Sequence, residues 1–279
     1  MKIGVASGKG GTGKTTIATS LALSLEGPLQ FFDCDVEEPN GHIFLRPEIV
    51  ERESVGIPVP LVDLAKCTFC GRCGEICQFS SIVPLKDTVL VFPQLCHGCG
   101  GCTRVCPTGA ISEKKVEIGI LERGHSGQIE FRHGRLNISE PKSPPLIRAL
   151  KNYLDEDKDA IIDAPPGTSC PVIESIKGCD VTLLVTEPTP FGLHDLTLAV
   201  EMTRKLTLPI GVIINRCDIG DSSVVDYCRR ENIPVLMEIR NDRKVAEAYS
   251  EGIPLVQARP EYRDRFARLR SELQERFPS

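Results

Sequence analysis

Two groups of residues in this 279-residue chain have types and spacing that could do chemistry. The first is Gly8-Lys9-Gly10-Gly11-Thr12-Gly13-Lys14-Thr15, followed by Thr16. It matches G-x-x-x-x-G-K-[ST], in which glycines let backbone N–H groups turn inward onto phosphate oxygens. Lys14 would neutralise β/γ-phosphate charge and Thr15 would reach Mg²⁺, while a following helix would add the positive end of its dipole. The second group is Cys67, Cys70, Cys73 and Cys77, recurring 29 positions later as Cys96, Cys99, Cys102 and Cys106. Eight of thirteen cysteines are spent here, while Cys34, Cys170, Cys179, Cys217 and Cys228 are scattered, and the last four read as small buried residues.

Both groups need elements to hold them. Ile3-Ala6 reads as a short buried strand directly before the glycine loop, and Thr15-Leu25 as the helix after it. Leu29-Phe32, Ala160-Ile162, Val181-Val185, Ile210-Ile214 and Val235-Ile239 are further strand candidates, apolar on consecutive positions. Helix-length segments Pro145-Leu154, His194-Leu206 and Ser222-Glu231 lie between them. This rhythm predicts an α/β fold with a doubly wound, mostly parallel sheet covered on both faces. The rhythm breaks over 60–115, where cysteine, glycine and the internal repeat dominate. Residues 1–59 and 116–279 are therefore expected to form one discontinuous domain, and 60–115 a small inserted one. So short an insertion has little core of its own, which makes metal its expected support. Val116 to Phe131, around Gly124-His125-Ser126-Gly127, reads as a hairpin returning to the main domain.

The cysteine gaps of 2, 2 and 3, twice over, with Pro107 after Cys106, resemble bacterial ferredoxins. That resemblance implies an α+β ferredoxin-like domain with two [4Fe–4S] clusters. One would be held by Cys67, Cys70, Cys73 and Cys106, the other by Cys96, Cys99, Cys102 and Cys77. Zinc also uses C-x2-C pairs, but seldom four thiols at these gaps. Gln78 stands where the second motif has Pro107, and His97 lies inside the second loop, where it could tune a cluster by hydrogen bonding.

The early lysine of Lys9-Gly10-Gly11-Thr12-Gly13-Lys14-Thr15-Thr16 resembles the deviant Walker A motif. That motif belongs to the family of the nitrogenase iron protein, the septum-site and plasmid-partition ATPases and the Mrp-type iron–sulfur carriers. The resemblance implies ATP and ADP as ligands, and a homodimer, or a heterodimer with a paralogue, in which Lys9 reaches the partner's nucleotide. It further implies Asp33 as the group that orients water, Asp35 as its partner or a Mg²⁺ contact, and Asp163 as a water-mediated Mg²⁺ ligand. Gly167, in Asp163-Ala164-Pro165-Pro166-Gly167-Thr168, would sense the γ-phosphate, and Asn215 would contact adenine. As a whole the chain resembles MinD-superfamily ATPases that carry an inserted ferredoxin domain. Asp35-Val36-Glu37-Glu38-Pro39-Asn40 and Thr186-Glu187-Pro188-Thr189 are similar to that group too. The C-x2-C pair with which Mrp-type carriers bridge a labile cluster is missing among the later cysteines.

Composition narrows the setting. Hydrophobic residues at 41% and charged residues at 25% lie near the soluble average, and no apolar run approaches the ~20 residues that span a bilayer. Met1-Lys2 leads straight into a strand, so a cytoplasmic location is expected, where clustered thiols more often bind metal than pair. A net charge of -5 argues against a general nucleic-acid partner. Tyr262, Phe266, Leu269, Leu273 and Phe277 recur as an amphipathic helix, expected to pack on its own domain rather than hold a membrane. Together these readings predict a slow ATPase that couples dimer switching to its clusters. Its partner would take electrons or receive help in metallocofactor assembly. The alternative is a non-redox switch that recruits partner proteins, with structural or oxygen-sensing clusters.

Overall fold

Strands that are apolar at consecutive positions are stable only where both faces of their sheet are covered. The computed structural model, which describes residues 1–278, meets that condition around a nine-stranded sheet. Its first elements are β1 (Lys2–Ala6), α1 (Lys14–Ser24), β2 (Leu29–Asp33), α2 (Gly41–Leu45) and β3 (Glu48–Val62). The cysteine-bearing stretch follows as α3 (Arg72–Ile76), β4 (Ile82–Pro84), β5 (Val89–Val91), a 3₁₀ turn (Pro93–Leu95) and α4 (Gly101–Val105). Next come β6 (Ile111–Ser126), β7 (Ile129–Leu136), α5 (Pro144–Lys151), β8 (Asp159–Asp163), α6 (Cys170–Ile176) and β9 (Val181–Thr186). The remaining elements are α7 (Pro190–Lys205), β10 (Ile210–Asn215), α8 (Ser223–Arg230), β11 (Val235–Ile239), α9 (Arg243–Ser250), α10 (Leu255–Ala258) and α11 (Glu261–Arg276).

The strand order is β11-β10-β9-β1-β8-β2-β7-β6-β3, with parallel pairing from β11 through to β7. Only Gly127 and Gln128 separate β6 from its neighbour β7, and so short a link allows only antiparallel pairing. The sheet is therefore mostly parallel, as the apolar runs predict, with an antiparallel strand toward one edge.

The chain divides into two compact units. The first comprises residues 1–52, 121–135 and those from 147 onward; the second comprises 53–120 and 136–146. In the first unit, alternate strand residues Ile3, Val5, Phe31, Phe131, Ile161 and Leu183 form one core with Ile17 and Leu21 of α1. The amphipathic stripe of α11 closes this core: Phe266, Leu269 and Leu273 are buried in it, with Tyr262 and Phe277 packed alongside. Its own unit thus occupies the stripe. The intervening residues Phe32, Ile162, Leu184 and Val212 are buried as well. Their strand period points them to the opposite face, where α6 lies on β1 and β8 and α7 lies on β9.

The second unit displays the repeat in three dimensions. Helices α3 and α4 start 29 residues apart and pack on each other. Each is preceded by a left-handed glycine, Gly71 at φ 85° and Gly100 at φ 70°, a backbone setting that a side chain would strain. Strands β4 and β5 pair antiparallel, Ile82 opposite Val91. Around the cysteine loops, Cys73, Ile82 and Ile111 form one buried cluster, and Val59 and Ile118 of the same unit are buried as well.

Phe266→Ala removes a fully buried ring from the main core. The expected cost is about 3–5 kcal/mol, read as a lowered urea midpoint with unchanged m.

Candidate functional site

The glycine loop runs from the carboxyl end of β1 to the first turn of α1, at the edge of the sheet where open parallel folds bind ligands. Gly13 caps α1 at φ 89°, and a Cβ there would stand 2.5 Å from Asn215 Nδ2. The position therefore needs glycine on two grounds, strain and space. Asn215, at the end of β10, donates from Nδ2 to Thr12 O at 2.9 Å and so ties that strand end to the loop.

Lys9, Gly10, Gly11, Gly13, Lys14, Thr15, Thr16, Asp35 and Asn215 line one cavity of about 370 Å³. Gly8, Thr12, Asp33, Asp163 and Gly167 stand outside that lining. Gly8 lies against the Asp195 backbone, where a Cβ would meet its carbonyl oxygen at 2.2 Å. Lys14, 7% exposed, donates to Asp163 Oδ1 at 3.0 Å, and Asp163 has no exposure at all. Asp163 Oδ2 and Thr12 Oγ1 are buried without a hydrogen-bond partner in the structure, a donor set that suits a hydrated cation and a phosphate. Burial alone would lower the Lys14 pKa, but Asp163, Asp35 and Asp33 outweigh it and raise it.

Asp33, the candidate for orienting water, is buried: Oδ1 accepts from Asp35 N at 3.1 Å, and Oδ2 accepts from Asn40 N at 3.1 Å and Gly41 N at 2.8 Å. It ties down the loop after β2, while Asp35 lines the cavity. Burial, reinforced by Asp163, pushes the Asp33 carboxyl up to about 8, against the Gly41 N–H and Lys14. Burial likewise raises Asp35, to about 6, and Lys14 opposes it. Gly167 donates its N–H to Ser7 O at 2.9 Å. Lys9 Nζ lies 3.7 Å from Glu187, whose other oxygen accepts from Arg216 at 3.0 Å.

Several cavity residues went unread in the sequence. Arg216 follows Asn215, and Ile239, Val245, Ala246, Tyr249 and Leu255 give the cavity apolar lining, together with the polar Arg240, Asn241 and Asp242. Ile239 was detectable in principle, because it ends the strand beside β10.

The eight clustered cysteines, all free thiols, fall into two separate cavities. Cys67, Cys70, Cys73 and Cys106 line the first, among Val62, Phe69, Val89 and Ile111. Cys77, Cys96, Cys99 and Cys102 line the second, with Pro58, Ile76, Phe79 and His97. Among the described residues, no group of three or more His, Cys, Asp or Glu side chains is placed to hold a metal ion. Each cavity is lined by four of the thiols. Backbone N–H groups already point at sulfur: Phe69 to Cys67 and Gly98 to Cys96, both at 3.4 Å, and Ala110 to Cys106 at 3.2 Å. His97 stacks on Phe79, with ring centroids 3.6 Å apart. Among the described residues no helix is long and apolar enough to cross a membrane.

Residues 3–255 match the CbiA family, described as the CobQ/CobB/MinD/ParA nucleotide binding domain. An uncharacterized protein of Methanocaldococcus jannaschii, MJ0578, is 34% identical over 226 residues, covering 77% of this chain and 78% of its own length. An iron-sulfur cluster carrier protein of Pyrococcus horikoshii is 27% identical over 279 residues, covering 91% of this chain and 79% of that one. Among solved structures, the septum site-determining protein MinD of Pyrococcus horikoshii, complexed with Mg-ADP, aligns with a TM-score of 0.60. That alignment covers 98% of this chain and 95% of the other at 19% identity, a likeness of fold.

The carboxyl shifts have a consequence for stability. A carboxyl raised on folding binds more protons in the native state, so stability falls as pH climbs through its folded pKa. Asp35 near 6 and Asp33 near 8 make the nucleotide-free protein less stable at pH 8.5 than at pH 6.5, by about 1–2 kcal/mol. His133, held low by burial despite Glu122, acts in the opposite sense and removes stability only below about pH 6.5. Chemical denaturation at the two pH values checks this, and Asp33→Asn is expected to narrow the gap.

Proposed function

The chain belongs to the CobQ/CobB/MinD/ParA family of nucleotide-binding domains, a MinD-superfamily P-loop ATPase fold, and on that premise we propose an ATP-hydrolysing iron–sulfur protein. Its nucleotide state would govern two [4Fe–4S] clusters carried by a ferredoxin-like insertion. The observation that supports this best is the partition of eight cysteines into two cavities, each drawing three thiols from one motif and the fourth from the other. A protein that used its thiols merely as small buried residues would have no reason to exchange the fourth ligand.

At the nucleotide site, Lys14 opposes the charge of the β- and γ-phosphates, and the N–H groups of the glycine loop bind their oxygens. Thr15 and Asp163, whose Oδ2 is buried without a partner, would hold Mg²⁺, which would offset phosphate charge there. Asp35, on the cavity wall, is the carboxylate suited to orienting the attacking water, and Asp33 shapes the loop that carries it. The apolar lining of Ile239, Val245 and Tyr249 takes the base beside Asn215. The Gly167 N–H, now on Ser7 O, would have to change partner to bind a γ-phosphate, which makes it a reporter of nucleotide state. Lys9 would leave Glu187 to reach the nucleotide of a second copy or a paralogue.

In the second unit the clusters would supply one-electron chemistry. The chain's part is to hold them, point N–H groups at their sulfurs and limit water. The output is electron delivery to a partner protein or ATP-dependent help in assembling a metal centre. The relative named an iron-sulfur cluster carrier favours the second, and two four-thiol sites without a spare pair favour the first.

Two measurements test this reading. Lys14→Ala is expected to abolish ATP binding in calorimetry while leaving the iron content unchanged; joint loss of both would sink the two-module picture. Anaerobic EPR titration with ADP and with a non-hydrolysable ATP analogue should move a cluster potential by ~59 mV or more, a tenfold shift for a one-electron couple. Unmoved potentials would favour a partner-recruiting switch.

A further inference from the structure

The 29-residue repeat allows the two cysteine sites to be compared position by position, and they are not alike. Ser81 and Ala110 are equivalent, each four residues after the cysteine that crosses to the other motif's site. Both donate a backbone N–H to that sulfur, Ser81 to Cys77 at 3.4 Å and Ala110 to Cys106 at 3.2 Å. Ser81 adds its hydroxyl, with Oγ 3.2 Å from Cys77 Sγ, while at Cys106 the nearest hydroxyl, Thr108, is 3.8 Å away. Ser81 is 3% exposed, so water does not compete for that bond. Against a ligated thiolate only the serine can donate.

The turns before the two motifs also differ. Before Cys67 the turn is local: Asp63 accepts from Ala65 N at 3.0 Å through its carboxylate, and from Lys66 N at 3.2 Å through its carbonyl. The position equivalent to Asp63 is Phe92, which has no side-chain acceptor. The backbone bond is kept, from Leu95 N to Phe92 O at 3.0 Å, and further support comes from outside the repeat. Lys142, its side chain 8% exposed, donates to Pro93 O at 3.3 Å and to Gln94 O at 2.8 Å, and pairs with Glu140 at 2.9 Å. Pro93 and Gln94 immediately precede Leu95 and Cys96.

We propose that the site of Cys77, Cys96, Cys99 and Cys102 holds the cluster of higher reduction potential, set by the Ser81 hydroxyl and kept in register by Lys142. This rests on the reading above that both sites carry [4Fe–4S] clusters. A donor on a ligand sulfur stabilises the extra negative charge of the reduced state, and a buried donor does so without solvent screening. Arg72 at the first cavity and Glu113 at the second would act in the opposite direction, but both are exposed and their fields are screened. Glu140 neutralises Lys142, so the role of that lysine is positional. An electron entering from a one-electron reductant therefore settles at this site first and leaves from it to a one-electron acceptor.

The test is a dithionite titration of the full chain, followed by EPR, with iron and sulfide measured on each sample. The wild type is expected to reduce in two steps. Ser81→Ala should make the upper step about tenfold less favourable, ~59 mV lower, leave the lower step in place, and be reversed by Ser81→Thr. Lys142→Met should lose about half the iron, together with the upper step. Full loading with coincident potentials overturns the proposal, as does a Ser81→Ala variant that moves neither step or only the lower one. Equal iron loss from both sites in Lys142→Met removes the positioning role. Wild-type protein with fewer than two clusters per chain overturns the cluster reading itself, and this inference with it.

Discussion

The nucleotide site is organised around a charge imbalance. Lys14 is buried against Asp163, and Asp33 and Asp35 also raise its pKa, so one ammonium answers three carboxyl groups. Buried charges at the end of a parallel sheet cannot borrow solvation from water, and the surplus must be relieved. Burial favours the protonated Asp33 carboxyl, and the backbone N–H groups of Asn40 and Gly41 satisfy its oxygen. A divalent cation would relieve the surplus, and the unpartnered Asp163 oxygen is where that demand is most acute. The loop after β2, the contact of Asn215 with Thr12 and the Gly167 bond to Ser7 are all arranged around this centre.

The two units solve the problem of stability differently. The first buries large side chains on both faces of its sheet, from Phe31 and Phe131 to Phe266 and Leu273. The second buries Val59 and Ile118 on its long strands, but around its cysteine loops only Cys73, Ile82 and Ile111 form a buried cluster, and Ile76, Phe79, Leu90 and Leu95 are exposed. Apolar burial of that extent is slight against the entropy of ordering the loops. Ligation would supply what the core does not, which is the energetic counterpart of the cysteine density. His97 on Phe79 and Lys142 beneath Pro93 and Gln94 are packing and hydrogen-bond supports of the same cysteine loops.

Legibility followed the distance over which each feature is encoded. The glycine loop, the cysteine gaps and the parallel strands carry their instructions within a few residues, through backbone freedom, ligand spacing and unbroken apolar runs. Strand β3 was missed although Val55, Ile57 and Val59 alternate, because a half-buried strand beside a cysteine segment is easily read as part of it. The setting of Asp33 was not legible, because its position after β2 says nothing of the Asn40 and Gly41 N–H groups that fold back onto it. The apolar lining of the cavity joins Ile239 to Leu255, residues linked only once β11, α9 and α10 have packed.

By itself the sequence determined the class of sheet, the glycine loop and the grouping of the thiols into two motifs, because each is written as a local pattern whose physics needs no distant partner. Tertiary structure alone decided which carboxylate faces the cavity, which residues give it apolar lining, and that Lys142 underpins a loop 48 residues before it. Those outcomes depend on which N–H, carbonyl or apolar wall arrives from another part of the chain. Burial then sets their strength, turning an ordinary serine at position 81 and an ordinary lysine at 142 into groups that distinguish one cysteine site from the other.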